Sequence, residues 1–151
     1  MYFYSVSLFL LAFAQRSNYS RFLNGSFWRG LFLFVSSQKY PSFLIKDNDE
    51  IIGYCFLTQY KKRQAYDRSA ELSIYLKPEF TGKGIGPVAL NYLEVAAKNA
   101  GIHVLVGTLC GENYASIRLM EKSGYSKCAH LKNIGEKFGK ILDVVIYQKE
   151  I

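Results

Sequence analysis

The sequence predicts a single α/β domain built on a mixed, mostly antiparallel sheet. Three observations carry that prediction. Thr81-Gly82-Lys83-Gly84-Ile85-Gly86 sets three alternate glycines between a strand-like run over 71–76 and an apolar helix-like run over 88–100. A short apolar run over 103–108 follows, and strand, helix and strand in series imply a parallel pair with a right-handed crossover. Strand-like pairs flank this unit on both sides, over 42–60 and 125–148. The chain has 151 residues, half of them apolar, with 12 Tyr and 11 Phe, enough for one domain with a real core.

Each element has a local reason. Residues 1–36 read as two short helices, one of them over 27–36. Residues 42–46 read as a strand, Asp47-Asn48-Asp49 as a turn, and 50–60 as the returning strand of a hairpin. A polar connection covers 61–69. The next strand, 70–76, stops at Lys77-Pro78. The glycine loop follows, with Pro87 placed as a first helical residue, where its missing N–H costs nothing. Gly101 caps that helix and Gly124 stops a second one over 113–123. Two last strands, 125–131 and 141–148, are joined by 132–140, whose Gly135 and Gly139 suggest a tight excursion.

Composition narrows the function classes. Net charge is +7, and all twelve carboxylates lie at or after Asp47. A basic surface suits an anionic ligand, nucleic acid or an acidic membrane. The charges are scattered, however, and Lys61-Lys62-Arg63, the only run, reads as a solvated loop; no nucleic-acid motif is visible. Cys55, Cys110 and Cys128 are far apart and form no C-x-x-C pair, and there are two histidines, so no metal site is expected. Cys55 and Cys128 lie in apolar runs and are expected to be buried, reduced thiols, which fits the cytoplasm. Residues 1–14 end in Ala12-Phe13-Ala14, like a signal-peptide cleavage site. No Lys or Arg precedes that run and it is too short to span a bilayer. A buried strand or helix, or an upstream start-site artefact, is the expectation there.

The glycine loop can bring backbone N–H groups close to a phosphate, and a helix N-terminus adds a favourable dipole. A Walker loop needs Lys then Ser or Thr after the last glycine, but Pro87 and Val88 follow. A dinucleotide fingerprint needs Gly or Ala at position 87. Both fail.

A third pattern fits. Residues 81–86 resemble the x-x-x-G-x-G loop of the GNAT N-acetyltransferases, which bind acyl-CoA. Asn113-Tyr114-Ala115-Ser116-Ile117-Arg118-Leu119, closed by Gly124-Tyr125, resembles that superfamily's second CoA motif. Arg63-Gln64-Ala65-Tyr66 and Glu71-Leu72-Ser73-Ile74-Tyr75-Leu76 resemble the phosphinothricin acetyltransferase branch, as do Gly135-Glu136-Lys137-Phe138-Gly139, Asp143-Val144 and Gln148. The resemblance covers about residues 42–151, taken as the acyl-CoA core; residues 1–41 are an atypical part of the same domain.

The resemblance implies a GNAT-like sheet with a splayed parallel pair, acetyl-CoA as co-substrate and a small-molecule amine as acceptor. It implies Glu71 as the base, its pKa raised by burial beside Tyr66 and Tyr75. It implies that Thr81, Gly82, Lys83, Gly84, Ile85 and Gly86 hold the CoA pyrophosphate. The backbone of Ile74, Tyr75 and Leu76 would pair with the pantetheine arm, joined by Asn113, which reads equally as a helix N-cap, and by Ser116. Arg63 and Tyr66 would meet the acceptor. A membrane is not implied, and a homodimer stays open. Three residues depart from the pattern. Thr81 stands where many relatives have Arg or Gln, and Lys83 is a substitute cation. Met120 stands where many have Tyr or His, and it cannot donate a proton; water or Tyr125 is the alternative donor. Phe138 replaces a frequent His.

Overall fold

The computed structural model describes residues 31–34 and 39–151. Its strands are β1 (Leu31–Phe34), β2 (Ser42–Asp47), β3 (Glu50–Gln59), β4 (Ser69–Leu76), β5 (Val104–Cys110), β6 (Ser126–Lys137) and β7 (Lys140–Glu150), and its helices are α1 (Ile85–Asn99) and α2 (Tyr114–Lys122). The strands form one sheet in the order β1-β2-β3-β4-β5-β7-β6. All neighbours are antiparallel except β4 and β5. The expected mixed sheet is therefore present, with its parallel pair at the centre.

Strand alternation sorts side chains to two faces. Phe43, Ile45, Cys55, Leu57, Ala70, Leu72 and Leu105 are buried on one face, beneath Ala89, Leu90, Leu93 and Ala97 of α1. Phe43 meets the Tyr92 ring edge-on, 4.7 Å between centroids. Both helices lie on this face, and Lys149 of β7 ties them down. Its Nζ donates to both Glu94 carboxylate oxygens at 2.9 and 3.0 Å and to the Ser123 carbonyl at 3.0 Å. The opposite face carries Tyr54, Phe56, Glu71, Ser73, Tyr75, Val106 and Gln148.

Both helix stops behave as read. Gly101 and Gly124 have φ of 73° and 81°. Gly101 N–H donates to Lys98 and Ile102 N–H to Ala97, while Gly124 N–H donates to Glu121 and Tyr125 N–H to Met120. This 5→2 and 6→1 pairing closes the last carbonyls, and only a residue tolerant of positive φ can make the turn.

Four expectations are corrected. The helix over 27–36 is a strand at Leu31–Phe34, paired antiparallel with Ser42 to Ile45 of β2. A short apolar run has no decisive period, and the free edge of β2 satisfies its backbone. The second helix placed in residues 1–36 and the apolar start over 1–14 lie outside the described residues. Pro87 is the third helical residue, since α1 begins at Ile85 after Gly84. The first turn's N–H groups have no partner in the helix, so proline is tolerated there too.

The supposed excursion over 132–140 is mostly strand. β6 runs to Lys137, and the reversal takes only Phe138 and Gly139, with φ of 53° and 72°. Two successive positive φ values make the tight turn that matches strand twist. The irregularity predicted there appears instead as a register shift between Leu131 and Gly135, with Asn133 at φ 55°. Asp143 pins it, accepting from Asn133 N–H at 2.8 Å and lying 2.7 Å from His130 Nε2. Those hydrogen bonds, Asn133 first, hold its carboxyl below the ordinary range. Finally, Cys55 is buried and its thiol is pushed up to about 12 by desolvation, but Cys128 is exposed on β6. β6 is a sheet edge, so an apolar run there need not be covered.

Candidate active site

The central strand pair parts. β4 and β5 are in register only at Ser69, Ala70 and Glu71 against Val104, Leu105 and Val106. Beyond that point each keeps its outer partner. β4 stays paired with β3 up to Leu76 opposite Gly53, and β5 stays paired with β7 up to Cys110 opposite Val144. The result is a wedge with Glu71 and Val106 at its apex. The β5-facing backbone edge of Ile74, Tyr75 and Leu76 is left without a strand partner, as a ligand that pairs like an added strand requires. Gly53 is needed where β3 follows β4 outward. A Cβ there would overlap the Tyr75 carbonyl and the Leu76 side chain.

The glycine loop sits at the mouth of the wedge. Gly82 and Gly84 have φ of 72° and 81°, and the space a Cβ would occupy at either is open. Gly84 caps α1 without any side-chain hydrogen bond, so no side chain caps the first-turn N–H groups. Such a terminus suits an anion. Gly86 lets α1 approach α2, since a Cβ would lie 3.2 Å from Leu119 Cδ2. Thr81 does not reach outward: its hydroxyl donates to the Pro78 carbonyl at 2.7 Å. Lys83 is exposed, its Nζ 5.0 Å from the centre of the Phe80 ring.

Asn113 caps α2, its side-chain oxygen accepting Ser116 N–H at 3.2 Å. The capping role is therefore real, and it binds Asn113 and Ser116 into one turn at the N-terminus of α2.

Glu71 is half-buried on the face away from the helices. Among the described residues no side chain hydrogen-bonds or ion-pairs with it; Arg68 pairs with Glu150 at 3.2 Å. The two tyrosines expected to bury it engage other rings. Tyr75 stacks on Tyr54 at 4.9 Å and Tyr66 meets Tyr60 edge-on at 6.0 Å. Beside Glu71, on the same face, lies an open hollow of about 430 Å³. Val104, Val106 and Ile146 floor it, and Tyr60, Tyr66, Arg68 and Gln148 stand around it. Tyr66 lines this hollow, whereas Arg63 is exposed outside its lining. Val106, and the position of Gln148 across it from Glu71, were missed. Only strand register brings them there, although alternation along each strand does give their face.

The model of the acetyltransferase (GNAT) family matches residues 8–125. This chain belongs to that family. An L-methionine sulfoximine/L-methionine sulfone acetyltransferase of Salmonella typhimurium is 31% identical over 112 residues. That alignment covers 74% of this chain and 66% of the relative, so the chain spans just under two thirds of its length. A phosphinothricin acetyltransferase from Sinorhizobium meliloti, solved with acetyl-CoA, superposes with a TM-score of 0.72 at 31% identity, over 76% of this chain and 62% of that one. A ribosomal-protein-alanine N-acetyltransferase from Brucella melitensis gives 0.71 at 31%, over 74% of this chain and 69% of that one.

Within this GNAT fold both Met120, at the position where many relatives carry a donor, and Tyr125, the alternative donor, are turned inward. Met120 is buried, and its Cε lies where a Cβ on Gly107 of β5 would be. Tyr125 is buried beside Glu94, nine residues into α1 and so roughly 13 Å from its N-terminus at the helical rise. Desolvation first, and the Glu94 carboxylate second, push its hydroxyl far above the ordinary phenol range. Met120→Tyr is therefore expected to overpack the Gly107 contact and lower stability by about 1–3 kcal/mol. Met120→Leu should cost less than about 1.5 kcal/mol. Thermal melts of both variants check this, and a Tyr variant as stable as the parent would mean that the ring points elsewhere.

Proposed function

We propose that this chain transfers acetyl from acetyl-CoA to the primary amine of a small molecule, an amino-acid analogue such as phosphinothricin or methionine sulfone, in the cytoplasm. One observation carries the reading: a carboxylate without a partner among the described residues stands where the central strands part, between an uncapped glycine loop and an open hollow. The described residues include no helix long and apolar enough to cross a membrane.

The site fits acetyl-CoA. Backbone N–H groups of residues 82–86 would hold its pyrophosphate, with Lys83 adding positive charge. The free edge of Ile74, Tyr75 and Leu76 would take the pantetheine arm, and the Asn113 amide N–H groups would add donors beside the capping oxygen. When bound, acetyl-CoA supplies an already activated thioester. What the protein must add is a deprotonated amine, because an amino acid's nitrogen is mostly ammonium at neutral pH. Glu71 accepts that proton, directly or through water. Tyr66 stands at the acceptor's side of the site, and Arg63 stays a candidate only if its exposed side chain swings in. Met120 and Tyr125 both face the interior, so of the donors considered water is the one that would protonate the departing thiolate.

An acceptor screen tests the proposal. Purified protein, acetyl-CoA and a panel of amines containing phosphinothricin and methionine sulfone should release free thiol with at least one. A second reading, a CoA-binding protein with little turnover, draws support from Thr81, whose hydroxyl is spent on its own turn, and from the burial of Met120 and Tyr125. It predicts CoA binding with no thiol release. Acetylation confined to peptide N-termini would instead move the acceptor to the class of the Brucella relative.

A further inference from the structure

Strand register places three side chains in one row across the sheet. Glu71 on β4 pairs with Val106 on β5, and Val106 pairs with Gln148 on β7. Paired residues share a face, so Glu71 and Gln148 stand on either side of Val106, and the hollow opens over that valine. Two strand spacings put their backbones roughly 10 Å apart. Gln148 lines the hollow, while Glu71, paired with Val106 on the other side, lies just outside its lining. Gln148 is exposed, and among the described residues its amide has no hydrogen-bond partner.

The chemistry of the two groups differs in a useful way. An ionised Glu71 attracts an ammonium and repels any carboxylate on the same substrate. A carboxylated amine therefore needs a donor away from Glu71. Arg68 stands at the rim, but its guanidinium pairs with Glu150 at 3.2 Å. Gln148 is the amide donor that lines the hollow on the far side of Val106 from Glu71. We infer that Gln148 determines acceptor specificity, its side-chain N–H donating to the α-carboxylate while the α-amine faces Glu71. The acceptor's own side chain then lies over Val104, Val106 and Ile146. This rests on the acetyltransferase reading above.

The test compares L-methionine sulfone with its decarboxylated counterpart, 3-(methylsulfonyl)propan-1-amine, in wild type, Gln148→Leu and Gln148→Glu. Wild type should favour the carboxylated amine. Gln148→Leu should raise KM for L-methionine sulfone at least tenfold with kcat little changed, and leave the decarboxylated amine unaffected. Gln148→Glu, nearly isosteric and at an exposed position, should raise that KM further by setting like charge against the carboxylate, more so at low salt. If wild type is active but either variant keeps the parent's discrimination, or both substrates weaken equally, Gln148 does not read the carboxylate. If wild type releases no thiol with any amine although it binds acetyl-CoA, the acetyltransferase reading fails, and the inference about Gln148 goes with it.

Discussion

Glu71→Gln should lower kcat about 10²-fold at neutral pH, the lower end of what a positioned base contributes. The substitution keeps the size and the hydrogen-bonding reach of the side chain. Glu71 also has no partner among the described residues to lose, so the fold should be untouched. The loss should shrink as pH rises, because the acceptor amine then deprotonates in solution and no longer needs the carboxylate. A rate–pH profile of both proteins, with acetyl-CoA saturating, makes the comparison. A variant that matches wild type at every pH would remove Glu71 from the mechanism. A variant slowed equally at every pH would make it a positioning group for the acceptor instead.

Gly84→Asp should weaken acetyl-CoA binding at least tenfold, roughly 1.4 kcal/mol. Two effects contribute, and a second variant separates them. Gly84 has φ of 81°, so any side chain strains the loop, though Asn and Asp tolerate that region better than most residues. Gly84→Asn carries the strain and the bulk without the charge. The Asp variant should bind more weakly than the Asn variant, and the gap should narrow as salt rises. Calorimetry on folded protein measures both. Equal affinities would mean that no phosphate approaches the loop, and wild-type affinity in both would move the ligand elsewhere.

Much of the candidate site's local geometry was legible because its parts are local. The loop around Gly82 and Gly84 declares itself by glycine spacing between a strand and a helix. The caps at Asn113, Gly101 and Gly124 each involve residues within a few positions of one another, and all are formed in the structure. Glu71 was put forward through resemblance of its strand to known enzymes, not from its own chemistry. The misses share a different cause. Leu31–Phe34 is a strand because β2 offers it an edge. β6 continues through 132–137 because β7 pairs with it beyond the irregularity at Asn133. Cys128 is exposed because its strand ends the sheet.

The sequence by itself determined where the two helices stop, where the 42–59 hairpin turns, which loop could hold an anion, and that strand, helix and strand would form a parallel pair. These follow from backbone preferences of glycine and proline and from apolar periodicity, which act over a few residues. Only the tertiary structure decided that β4 and β5 part after Glu71, that Met120 is locked against Gly107, and that Glu71, Val106 and Gln148 share a row. Residues 71, 106 and 148 have no local preference that relates them. Their alignment depends on which strands are neighbours and in what register, and those are set by how the whole sheet buries its apolar face beneath α1 and α2.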